Sequence, residues 1–315
     1  MFDAKKFIAE KTKELKQQVK GKAIIAVSGG VDSTTAAVLT HTAIGNNLVS
    51  IMVDTGFMRK NEAKSTLNML KGMGLNFSVV DASKDYFKDL KGIIEPEKKR
   101  HIIGEKFIRV FEKVARAQKC KYLVQGTIAP DWIESGGALR DTIKSHHNVG
   151  GLHKDMDLIL VEPLRDLYKD EVRKVARELG LSVAEKQPFP GPGLAIRIMG
   201  EATKERADIV REACYIVEEE FEQAAKAGKM PIPWQYFAVL LPVKSVGVHG
   251  DVRVYGETIV VRAVESLDGM SAAYSKIPHE ILDKISIRIT NTMKDKVNRV
   301  VFDITNKPPG TIEWE

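Results

Sequence analysis

Ala23-Ile24-Ile25-Ala26-Val27-Ser28-Gly29-Gly30-Val31-Asp32-Ser33-Thr34-Thr35-Ala36-Ala37 decides the fold. Its first five residues are small or apolar, the pattern of a strand buried on both faces. Gly29 and Gly30 turn the chain, and a Thr/Ala-rich run opens a helix. Strand, glycine turn and helix N-terminus make a phosphate cradle. Glycine lets the backbone approach the anion, and unpaired N–H groups and the helix dipole stabilise its charge. No lysine ends the turn, so this is not the Gly-x-x-x-x-Gly-Lys-Ser/Thr loop. Ser28 and Ser33 bring hydroxyls and Asp32 a carboxylate. A carboxylate repels phosphate unless a cation lies between them, so Mg²⁺ is expected beside Asp32, the one metal ligand assigned.

Outward from this stretch, strands and helices alternate. Helical spacing covers residues 3–20, with Ala4, Ile8, Leu15 and Val19 on one face. Further strands are expected at Val49–Val53, Phe77–Val80, Tyr122–Val124 and Leu158–Val161. The intervening helices cover about Ser33–Ala43, Glu62–Leu70, residues 83–118 with a break near Pro96, and Leu167–Leu179. This predicts an α/β fold, a doubly wound five-stranded parallel sheet. Ligands of such sheets sit beyond the carboxyl ends of the strands, where strand order reverses. That rule gathers Ser28–Ser33, Asp54–Arg59, Gly126–Glu134 and the segment after Val161.

The pattern changes at Pro188-Phe189-Pro190-Gly191-Pro192-Gly193, which reads as a linker because it suits neither helix nor central strand. The expected domains are 1–187 and 188–315, the second a small α+β unit. In it, Phe237-Ala238-Val239-Leu240-Leu241 is apolar on both faces with little chain to cover it, which predicts a homodimer through this domain.

Composition bounds the function. The chain has 315 residues, is 43% hydrophobic and 29% charged, and carries 48 basic against 42 acidic residues. The excess of +6 suits an anionic small molecule and does not demand nucleic acid. No apolar run reaches the roughly 20 residues that span a bilayer, so no membrane partner is expected. The N-terminus is charged and amphipathic, unlike a signal peptide. Two cysteines, Cys120 and Cys214, form no Cys-x-x-Cys pair, which fits a reducing cytoplasm.

Three further constellations stand out. Asp131 and Glu134 are three apart just past Gly126-Thr127, so they can share a face and a phosphate-bound metal. Lys144 stands in the Lys/His/Gly-rich segment 143–153. It reads as a lid residue that neutralises charge on a departing pyrophosphate. His146 and His147 are adjacent, which argues against a metal site there. The segment Lys307-Pro308-Pro309-Gly310-Thr311-Ile312-Glu313-Trp314-Glu315 is stiff and apolar for a terminus, with Ile312 and Trp314 able to dock it.

Ser28–Ser33 resembles the pyrophosphate loop of the ATP pyrophosphatases. Over nearly its full length the chain resembles the ATP-pyrophosphatase part of GMP synthetase. The matching pieces are Ser28–Ser33, Gly126–Ser135, Ile143–Leu152, Pro188–Arg197, Gln235–Asp251 and Lys307–Glu315. The resemblance implies an adenine-nucleotide α-hydrolase-like first domain and a C-terminal domain for dimerisation and XMP binding. It implies a carbon–nitrogen ligase that makes GMP from xanthosine monophosphate (XMP), Mg-ATP and ammonia through an adenylyl-XMP intermediate, releasing AMP and pyrophosphate. Carried over residue by residue, Ser28, Gly29, Gly30, Val31, Asp32, Ser33, Val53, Gly126 and Thr127 would hold ATP and pyrophosphate. Asp32, Asp131, Glu134 and Lys144 would be catalytic. Arg59, Pro190, Gly191, Gln235, Lys307, Thr311, Ile312 and Glu313 would hold XMP.

Many family members carry a glutamine amidotransferase domain in front, which needs a nucleophilic cysteine. Nothing before Ala23 could hold one, and neither Cys120 nor Cys214 reads as that nucleophile. The chain is similar to the separate ATP-pyrophosphatase component of the two-component, archaeal-type enzymes, which implies a separate amidotransferase partner. Members often show Arg-His before Pro-Phe-Pro-Gly, where this chain has Lys186-Gln187. Two other readings stand beside this one: an RNA-modifying pyrophosphatase, disfavoured because Lys98-Lys99-Arg100-His101 is the only compact basic cluster, and a nucleotide sensor without turnover.

Overall fold

The structure is a computed structural model that describes residues 2–133, 158–267 and 269–315. Glu134 and the Lys144 segment lie outside the described residues. The contacts divide the chain into two compact units: Met1–Thr55, Asn61–Ala82 and Ile103–Lys186 form one, and Gly56–Lys60, Ser83–Ile102 and Gln187–Glu315 the other. Two insertions that the sequence reading keeps in the first domain therefore group with the second unit. The cause is specific bonding: Phe57 O accepts from Leu194 N at 2.8 Å, and Lys99 Nζ donates to Ile198 O at 2.7 Å.

The first unit holds a parallel sheet of β1 (Ala23–Ala26), β2 (Leu48–Asp54), β3 (Phe77–Asp81), β4 (Tyr122–Val124) and β5 (Ile159–Val161). Its order is β3-β2-β1-β4-β5, all pairs parallel. Ile24, Ile25, Leu48 and Ile51 are buried, as expected of strands covered on both faces. Helices α1 (Ala4–Gln18), α2 (Val31–Ile44) and α7 (Lys169–Glu178) pack on one another. Also in the chain are α3 (Glu62–Gly72), α4 (Ser83–Asp89), α5 (Pro96–Ala117) and α6 (Ala129–Ile133). Strand order reverses between β1 and β4, so the turn that leaves β1 and the segment that leaves β4 open at one place.

The second unit has α8 (Lys204–Lys226) and α9 (His279–Thr292) packed with a mixed sheet. Its strands are β6 (Gln235–His249), β7 (Val252–Glu265), β8 (Ala273–Tyr274) and β9 (Val297–Asp303). β6 and β7 form a long antiparallel hairpin whose register shifts between Leu240 and Lys244, where Pro242 cannot donate to the ladder. Two expectations are corrected here. Phe237, Ala238, Val239 and Leu240 are fully buried inside this unit. Cys214 Sγ on α8 lies 3.4 Å from Ala238 O, and the Phe221 and Tyr236 rings are 5.5 Å apart. That run therefore gives no argument for a second copy. The exposed apolar side chains of this unit instead include Val246, Val248, Val252 and Tyr255, which share the hairpin's outer half. Pro188–Gly193 is no free linker either. It leads into a 3₁₀ turn, Gly193–Arg197, that is buried throughout. Gly193 has φ +65°, and a Cβ there would stand 2.4 Å from Phe57 O, so only glycine fits.

Among the described residues no helix is long and apolar enough to cross a membrane.

Candidate active site

The turn between β1 and α2 is tied together by its own hydroxyls. Ser28 N donates to Ser33 Oγ at 3.1 Å, and the Ser28 and Ser33 hydroxyls are 3.0 Å apart. Gly29 takes a left-handed φ of +80°, which its lack of a Cβ permits. Gly30 is the N-cap of α2 with no side-chain capping bond, so the orphan N–H groups of the first turn face whatever occupies the space above. Val31 is buried beneath them.

Above this turn lies a cavity of about 330 Å³ lined on its polar side by Ser28, Gly30, Asp32, Ser33, Gln125, Gly126, Thr127 and Asp131. Phe107, Ile108 and Phe111 of α5 supply an apolar wall. Their helical spacing reads as ordinary core, so no sequence signal marks them. Gly126 sits hard against the helix: a Cβ on it would meet Asp32 C and Ser33 N at 2.9 Å. Gly126→Ala is therefore expected to push the strand ends apart, costing roughly 1–3 kcal/mol. It should also raise the KM for ATP, checked by thermal unfolding beside steady-state kinetics.

Asp32 is the centre of charge. Its Oδ2 accepts from Lys169 Nζ at 2.5 Å, while its Oδ1 is buried and takes no hydrogen bond. A lysine on the first residue of a helix is unfavourable to the helix dipole, so stability of α7 is not what placed Lys169 there. The sequence reading missed this residue, because nothing local links α7 to the β1 turn. Asp131 lines the cavity, and its Oδ2 accepts from Ile128 N at 2.9 Å. Val53 is buried within β2 and is not among the residues that line the cavity, so its place at adenosine rests on the family resemblance alone. Among the described residues no group of three or more His, Cys, Asp or Glu side chains could hold a metal by themselves. One orphaned carboxylate oxygen beside two hydroxyls is still a hard oxygen set that fits Mg²⁺, which protein sites share with substrate phosphates.

Of the residues expected at the acceptor nucleotide, Arg59, Gln235 and Glu313 meet around Pro188, Phe189 and Arg197 of the second unit, whereas Lys307 and Thr311 bond elsewhere in that unit. Arg59 pairs with Glu218 at 3.2 Å, donates to Pro188 O at 3.3 Å and lies 4.4 Å from the Phe189 ring centre. Gln235 Nε2 donates to Glu313 Oε1 at 2.9 Å. Glu313 also takes both prongs of the buried Arg197, which stacks 4.0 Å from the Phe237 ring centre. Both Glu313 oxygens are thus committed, which makes it a tail anchor. Lys307 Nζ donates to Gly269 O at 2.7 Å, and Thr311 O accepts from buried Arg262 at 3.1 Å. Ile312 is buried, whereas Trp314 docks through its indole N–H to Asp303 at 3.1 Å. Pro190 is half-buried and Gly191 exposed. Gln187 joins this cluster, accepting from Tyr236 N at 2.8 Å. Burial pushes the Cys214 thiol up, and likewise Cys120, so neither thiol is activated.

Residues 221–314 match the family model of the GMP synthase C terminal domain, and residues 3–133 that of NAD synthase. A glutamine-hydrolyzing GMP synthase subunit of Thermococcus kodakarensis is 58% identical over 98% of this chain and 99% of that one. The protein of the same name from Methanopyrus kandleri is 57% identical over the whole of both chains. Among solved structures, an NMN synthetase from Francisella tularensis aligns over 73% of this chain and 88% of that one, at 14% identity and a TM-score of 0.47. Identity of this level to those two relatives, sustained from end to end, means that the chain belongs to their family of glutamine-hydrolyzing GMP synthase subunits.

Proposed function

We propose that this chain carries out the ATP-dependent amination of XMP to GMP. The xanthine O2 attacks the α-phosphorus of ATP, pyrophosphate leaves, and ammonia displaces AMP from C2 of the adenylyl-XMP intermediate. The observation that carries this reading is the cavity above the β1 turn. There two hydroxyls, a helix N-terminus and the Asp32 carboxylate converge beside an apolar wall, and the Lys169 ammonium is bonded to Asp32 from outside the lining. The Ser28 and Ser33 hydroxyls and the α2 N–H groups would bind the β and γ phosphates. Lys169 would take up charge that develops on the leaving pyrophosphate. Asp32 would hold Mg²⁺, which supplies charge neutralisation between the phosphates. Asp131 is a second acid at the same cavity, and Glu134 and Lys144 are assigned by the family resemblance.

The acceptor would be held by Arg59, Pro190, Gly191, Gln235, Lys307, Thr311 and Ile312 of the second unit, with Glu313 fixing the tail that carries three of them. The relatives are named as one subunit of a glutamine-hydrolyzing enzyme. That name supports a separate glutamine amidotransferase subunit as the source of ammonia. A homodimer through the second unit is supported by the exposed apolar outer half of the β6–β7 hairpin.

The test is pyrophosphate release from Mg-ATP by the full chain. Release over many turnovers is expected only with XMP and ammonium together, and XMP alone should release at most one pyrophosphate per site. Equal release with no acceptor, or with tRNA in place of XMP, would overturn the reading.

A further inference from the structure

Lys186, the residue with no role in the resemblance, grips the back of the phosphate loop. Its Nζ donates to Gly29 O at 3.3 Å and to Glu62 Oε1 at 2.8 Å. Glu62, at the start of α3, is buried, and its carboxylate packs flat on the turn: a Cβ on Gly29 would stand 3.0 Å from Glu62 Oε1. One ammonium is thus shared between a buried carboxylate and a single carbonyl of the turn.

That carbonyl matters because a trans peptide is planar, with its C=O and N–H pointing opposite ways. Holding Gly29 O toward Lys186 turns the Gly30 N–H to the other side, where it donates to Ser28 Oγ at 3.3 Å, a long bond that a phosphate oxygen would replace or share. Gly30 and Ser28 both line the cavity. The peptide joins two glycines, so no Cβ on either side resists its rotation. A flipped peptide would present a carbonyl oxygen to phosphate in place of an N–H.

We infer that Lys186 is a positioning residue for pyrophosphate: by holding the Gly29 carbonyl it keeps the Gly30 N–H aimed into the cavity as an anion donor. Glu62 fixes the ammonium in place to do so. The inference rests on the cavity being the pyrophosphate site.

The test is binding of inorganic pyrophosphate with Mg²⁺ to the full chain by calorimetry, beside KM values for ATP and XMP. Wild type should bind. Lys186→Met should bind roughly tenfold more weakly, the scale of one charge-assisted hydrogen bond, with KM for ATP raised and KM for XMP unchanged. Lys186→Arg, which can still donate to both oxygens, should restore affinity to within about twofold. The double variant Glu62→Gln/Lys186→Met removes the opposite charges together and guards against a folding defect. It should fold and still bind weakly, because the Gly29 carbonyl is still released. Wild-type affinity in the double variant would mean that Lys186 only neutralises Glu62, and undiminished affinity in Lys186→Met would mean that the peptide needs no grip. Either result overturns the positioning role. A wild type that binds no pyrophosphate would instead overturn the site reading beneath it.

Discussion

Deleting residues 312–315 is expected to lower the unfolding free energy by about 3–5 kcal/mol and to abolish XMP-dependent pyrophosphate release. The deletion takes away Glu313 and Glu315, the partners of two side chains with 0% exposure, Arg197 and Lys99. The two cations differ in what they can do once stranded. Burial alone would lower the Arg197 pKa, but the Glu313 carboxylate outweighs it and the net shift is upward. Without Glu313 the guanidinium stays charged, since arginine does not deprotonate in proteins, and what remains beside it is the Phe237 and Phe189 rings, the Cys214 side chain and the more distant Glu218 carboxylate, none of which replaces the two lost hydrogen bonds. For Lys99 burial already prevails over the hydrogen bond to Glu315 and lowers the pKa. It also keeps a bond to Ile198 O at 2.7 Å. A stranded lysine, unlike an arginine, can lower its cost by giving up its proton. Most of the cost should therefore fall on the Arg197 side. In chemical denaturation, Glu313→Gln should reproduce the larger part of the loss and Glu315→Gln the smaller. A truncated protein with an unchanged midpoint and full activity would refute both the anchoring of the tail and its place in the acceptor site.

That tail also shows where the sequence is legible and where it is not. The parallel sheet could be read because each strand and each helix is a local pattern, and the reversal of strand order then places the β1 turn by topology. Docking of the tail could be foreseen from its prolines, Ile312 and Trp314. That Arg197 and Lys99 hold it by charge could not, because a lone Arg or Lys carries no local mark of burial. Composition misled in two places. Pro188–Gly193 has the residues of a linker, and only the close approach of Gly193 to Phe57 O identifies a packed turn. Phe237–Leu241 reads as an uncovered face because the covering helix, α8, lies outside any window that sees the strand. At the phosphate loop the hydroxyls, glycines and Asp32 were legible, since they are contiguous. Lys169 and Lys186 were not, since each reaches the loop from well over a hundred residues away.

Asp32→Asn is expected to lower kcat/KM for ATP by about three orders of magnitude while leaving folding nearly untouched, and that contrast is what makes it informative. If Asp32 were structural, its main contribution would be the pair with Lys169. Their side chains are 28% and 48% exposed, so solvent screens the pair, and such pairs stabilise by at most about 1 kcal/mol. The other oxygen, Oδ1, is buried without a hydrogen bond, an arrangement that costs stability and persists at functional sites. Asparagine matches the side chain in shape and removes only the charge. A loss of about 4 kcal/mol in transition-state stabilisation would then exceed what any change in folding could supply. Lys169→Met should act on the same step more weakly, raising the KM for ATP about tenfold, and combining the two changes should cost less than their sum because both serve one phosphate charge. The measurements are the melting transitions, ATP binding with and without Mg²⁺, and single-turnover pyrophosphate release. If Asp32→Asn retained Mg²⁺-dependent ATP binding and turnover, the carboxylate would be no metal ligand. If it lost several kcal/mol of stability instead, the loop would be held by Asp32 and not the reverse.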